Sequence, residues 1–76
     1  MTMRTHTGLL EMHLENIQAI EQLCRHRQMA RRTMGDDETE VVDKTVRLAV
    51  GMERLMRRWI AIRVETETQR SVGHMH

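Results

Sequence analysis

The chain has 76 residues, a single cysteine, no proline and a formal net charge of +1, with charged residues at 30%. That length holds one domain at most. The lone Cys24 excludes an internal disulfide, and the balanced charge argues against a basic nucleic-acid coat or an acidic tail. A core this small is marginal without support from disulfides, a metal or oligomerisation, and oligomerisation is the support left over.

Trp59 is the only aromatic residue, and eight methionines join Leu, Ile and Val as the apolar set. Methionine adapts its shape and suits helix–helix contacts. Among the basic residues, eleven are arginine and only Lys44 is lysine, a bias toward planar contacts with carboxylate or phosphate.

Residues 1–8 form a lead-in, with Thr5 or Thr7 as a cap for the first helix. From Leu9 to about Met34 the pattern is helical: Leu10, Leu14, Ile17, Ile20 and Cys24 recur at steps of three and four, widened by Leu9 and Leu23. Arg25, His26, Arg27 and Gln28 then thin the stripe before Ala30 and Met34 resume it. Gly35 is expected to end this helix in the left-handed conformation. Asp36 or Asp37 is expected to cap the next, with Asp37 and Glu40 at capping-box spacing. So short a connection makes the two helices antiparallel neighbours.

The second helix is expected over about Glu38 to Glu67. Val41, Thr45, Leu48, Met52, Leu55, Trp59 and Ile62 alternate steps of four and three, a coiled-coil-like seam broadened by Val42, Ala49 and Met56. Gly51 is read as a close helix crossing. Ile60, Ile62, Val64, Thr66 and Thr68 also alternate as a strand would, which is the competing reading of that stretch. Residues 68–76 read as a frayed tail.

The fold expected is all-α: an antiparallel two-helix hairpin dimerising into a four-helix bundle. The second helix carries more apolar width than one neighbour covers, and broad exposed apolar surface marks an interaction site. The leading function is a non-enzymatic protein–protein interaction module (an adaptor, a chaperone-like protein or a regulatory inhibitor) acting through Leu48, Met52, Leu55, Met56, Trp59 and Ile62. Its partner is a second copy or another helical protein.

The alternative is an RNA- or DNA-binding helical dimer that presents clustered arginines, Arg54, Arg57 and Arg58 with Arg25, Arg31 and Arg32. Against it stands pairing inside the hairpin. The hairpin sets Arg25, Arg27, Arg31 and Arg32 opposite Glu38, Glu40 and Asp43, and sets Arg57 and Arg58 opposite Glu11 and Glu15. A third reading is a small bundle enzyme, with Arg27, Gln28 and Arg31 lining a polar interior.

No nucleotide loop, catalytic elbow or zinc-protease motif is present, so no cofactor is expected. His74 and His76, and Cys24 with His26, match no structural zinc spacing. Cys24 itself reads as a buried thiol. No signal peptide or membrane-length apolar run is evident, which gives the expectation of a soluble, cytoplasmic chain.

Overall fold

The structure is a computed structural model that describes residues 6–74, with side chains from 7 to 70. Helix α1 spans His6–Met29, a 3-10 turn spans Arg31–Thr33, and helix α2 spans Asp36–His74. The helices pack against each other as a hairpin, and no strand occurs among the described residues.

The reversal differs from the expected one. Helix α1 stops at Met29 rather than Met34, and Ala30, Thr33 and Met34 close tight i→i+3 bonds to Arg27, Ala30 and Arg31. The Thr33 hydroxyl donates to the Ala30 carbonyl at 2.8 Å and holds that turn. Met34 is extended (φ −100°, ψ 141°), and neither it nor Gly35 takes a positive φ. Gly35 therefore does not end α1. Its carbonyl instead opens α2, accepting the Thr39 amide at 3.0 Å and the Thr39 hydroxyl at 2.9 Å. Asp36, Asp37 and Glu38 occupy the first turn of α2, where their charge suits the positive end of the helix dipole.

Helix α2 runs past Glu67 to His74, so the described part of the expected tail is helical. The β-branched stretch is helical as well. Thr66 and Thr68 donate their hydroxyls to the carbonyls of Ile62 and Val64, each at 2.9 Å, which satisfies them within the helix. A Cβ added at Gly51 meets nothing within 4 Å, so no close crossing occurs there. Thr7 lies inside α1 and donates to Glu67 instead of capping. Met1 to Thr5, and with them the expected cap at Thr5 and most of the lead-in, lie outside the described residues.

Polar contacts set the register. The Thr7 hydroxyl donates to Glu67 at 3.0 Å at the open end, Glu21 meets Glu53 at the middle, and Arg31 donates to Asp43 at 2.9 Å near the turn. In all three pairs the residue numbers add to the same total, so the helices run antiparallel without slipping. The inner stripe of α1 is Leu10, Leu14, Ile17, Glu21, Cys24 and Gln28. That of α2 is Val42, Val46, Ala49, Glu53, Met56 and Ile60, and all twelve are buried or half-buried. Both stripes alternate steps of three and four, the spacing of helices packed at a shallow angle.

This core is thin. Among the described residues the buried apolar side chains are Leu10, Val42, Val46 and Ala49, and no large side chain is fully sealed. The hairpin measures 62 × 27 × 15 Å, with a radius of gyration of 17.8 Å. A compact chain of this length has a radius near ~11 Å. The molecule is one layer of helix, where stable domains pack at least two.

Candidate interaction face

The seam expected on the second helix exists, but it is not the one that meets α1. Val42, Val46, Ala49 and Glu53 turn inward. Their neighbours one residue before, Val41, Thr45, Leu48 and Met52, stand to one side with Leu55, Trp59 and Ile62. Leu48 is 68% exposed, Leu55 67% and Trp59 53%. The offset of one residue turns the helix by about 100°, which carries the whole seam from the contact to the flank.

Helix α1 repeats the arrangement. Its inner stripe takes Glu21, while Ile20, expected inside, is 49% exposed. Leu9, His13, Asn16, Ile20 and Leu23 form an outer seam at the same alternating steps. The two outer seams lie on one side of the hairpin. Ile17 and Ile20 share a groove with Thr45, Leu48 and Met52. His13 and Asn16 share a trough of about 360 Å³ with Met52, Met56 and Trp59. At the open end, Leu9 and His13 converge with Trp59 and Arg63. By helical spacing Glu11, Glu15, Arg25, Arg54 and Arg57 fall on the other side. The hairpin therefore has an apolar side and a charged side.

Of the six residues singled out for partner binding, Leu48, Met52, Leu55, Trp59 and Ile62 are exposed on the apolar side and Met56 is half-buried beneath them. The arginines separate into two groups. Arg27 grips Glu38 with Nε and Nη2, at 2.9 and 2.7 Å to one carboxylate oxygen. Arg31 and Gln28 both donate to Asp43, at 2.9 and 2.8 Å. These three side chains do face the neighbouring helix, yet carboxylates already fill the space between. Glu40 pairs with Lys44 along its own helix rather than with an arginine. Arg57 does not reach Glu11 or Glu15; it lies 3.9 Å from Glu53, one turn back, and Arg25 likewise pairs with Glu21. Arg32, Arg54 and Arg58 are exposed, and among the described residues none forms an ion pair.

The centre of the hairpin holds a polar layer that the apolar pattern conceals. Glu21 and Glu53 are both buried and share a hydrogen bond across the interface. A bond between two carboxyls needs one proton. The bond to Glu53 and the guanidinium of Arg25 hold Glu21 below its ordinary value of 4.5. The same bond, with loss of solvation, pushes Glu53 above 4.5, against the opposing pull of Arg57 and Arg25. Asp43, bonded to Gln28 and Arg31, is held below its ordinary 3.8. The sequence signal for the layer was position. Glu21 and Glu53 each continue a three-and-four stripe to which Ile20 and Met52, beside them, are better suited by polarity.

Cys24 is a free, half-buried thiol on the inner stripe. Among the described residues no three His, Cys, Asp or Glu side chains gather into a metal site. The side chains of His74 and His76 lie outside the described residues. No described helix is long and apolar enough to cross a membrane. No known family, curated protein or solved structure matches this chain.

Proposed function

We propose that the chain is a non-enzymatic interaction module that docks its apolar side onto two further helices and so completes a four-helix bundle. One observation carries this reading: the most apolar stripe of α2 lies outside the hairpin, with Leu48, Leu55 and Trp59 more than half exposed. Burial stabilises by about 25 cal/mol per Å² of apolar surface. A hairpin that buries Glu53 and leaves Leu55 in water gains that stabilisation only when something covers the outer seam. Trp and Met at its centre suit an interface hot spot.

Leu55→Asp places a charge in the seam and is expected to abolish assembly and function together. Trp59→Ala is expected to weaken both, with helix content by circular dichroism as the control for folding. A Trp59→Ala chain that assembles and acts like the parent removes the seam from the proposal.

Nucleic-acid binding is the second reading, favoured by the exposed Arg32, Arg54 and Arg58, which pair with no carboxylate among the described residues. It expects a gel shift that weakens with salt and disappears in a chain carrying Arg54→Ala and Arg58→Ala. The absence of any shift at low salt ends it.

A further inference from the structure

Building on the docking reading, we infer that the occupant of the apolar side is a second copy of this chain, antiparallel to the first, with the two-fold axis passing beside Asn16 and Trp59.

The size of the face suits a dimer. The broad side of the hairpin extends 62 by 27 Å, room enough for the ~800 Å² per partner that a standard stable interface buries. Its charge suits a copy of itself. The outer seam of α2 from Val41 to Ile62 has no ionised residue, and the outer seam of α1 has only His13 as a titratable group. Nothing within these two stretches repels an identical face; the charged groups that border the apolar side are Arg63, beside Leu9 and Trp59 at the open end, and the Arg27–Glu38 pair near the turn. The net charge of +1 adds little repulsion between whole chains.

The placement follows from the α1 seam. A two-fold interface is isologous, so a patch must match itself reversed. Leu9, His13, Asn16, Ile20 and Leu23 begin and end on leucine, seven residues to either side of Asn16. Laid antiparallel about Asn16, Leu9 falls against Leu23 of the second copy, and Leu23 against its Leu9. Asn16 then meets Asn16 of the second copy, and two carboxamides can each donate to and accept from the other. A single asparagine in an apolar seam is a known means of fixing register between helices. In the hairpin Asn16 and Trp59 border the same trough, so the same axis brings the two Trp59 rings near each other. The turns then lie at opposite ends of the bundle.

The test is a cysteine placed on the axis. Asn16→Cys in a Cys24→Ser background is expected to form an intermolecular disulfide on mild oxidation, since equivalent positions at a two-fold fall within disulfide reach. Gln22→Cys in the same background, off the apolar side, is expected to remain unlinked. Light scattering on the parent chain is expected to give twice the chain mass of 9.0 kDa. Trp59 emission should move to longer wavelength on dilution, a readout needing no substitution. A helical parent chain that stays monomeric, with water-exposed Trp59 emission at every concentration, overturns the inference. A dimer that links through Gln22→Cys and not through Asn16→Cys overturns the placement. The docking reading fails separately: if the monomer binds a helical partner and Trp59→Ala abolishes that binding, the second copy is lost and the module remains.

Discussion

Glu53 is the residue whose position most constrains the chain's chemistry. Its folded-state pKa is raised, so its contribution is complete below 4.5 and is lost as pH rises through the folded value. Glu21 behaves oppositely: its contribution holds above 4.5 and is lost as pH falls through its lowered value. The pair is therefore strongest in the band between the two, where one proton is shared. Asp43 adds a contribution above 3.8 that disappears on acidification. Glu53→Gln keeps a hydrogen-bond donor without requiring a proton. That variant is expected to melt at a higher temperature than the parent at neutral pH, with the difference shrinking as pH falls toward 4.5. A variant less stable than the parent at neutral pH would show that the pull of Arg57 and Arg25 outweighs the carboxyl repulsion.

At the scale of the element, α2 carries one evident local weakness. Gly51 lies mid-helix and exposed, with open space around a would-be Cβ. Gly51→Ala is expected to stabilise the chain by about 1 kcal/mol, read by urea denaturation. A loss of stability on that substitution would show that another chain approaches closely at this point. Both helices and their antiparallel sense were legible in the sequence because no proline interrupts them and Gly35-Asp36-Asp37 marks the reversal. The turn itself was not, since a 3-10 turn held by Thr33 and an extended Met34 leave no signature as plain as glycine. Nor was the inward side. Apolar periodicity reports how wide a greasy surface is, but a helix with two adjacent stripes gives no sign of which half its neighbour covers. Polarity pointed to Met52 and Ile20, while the register placed Glu53 and Glu21. The ion pairs were half legible: Arg27 and Arg31 reach across the short turn as expected, whereas Arg57 found a nearer carboxylate on its own helix. Exposed pairs like that of Arg27 with Glu38 contribute about 0–1 kcal/mol each, so they orient more than they stabilise.

The whole molecule is a slab 15 Å thick in its least dimension, with four buried apolar side chains among the described residues. Folding and assembly of such a chain are expected to be one event. The melting temperature should then fall by several degrees for each tenfold dilution, where an independently stable hairpin would hold it constant. The same thinness has a consequence for solvent access to the backbone. In a lone hairpin both broad sides of each helix are open to water, so amide hydrogens should exchange with deuterium at similar, rapid rates all along α1 and α2. Once the apolar side is covered, slowly exchanging amides should appear in both helices wherever the cover extends. Their boundaries along the chain would trace its length without any further structure being solved.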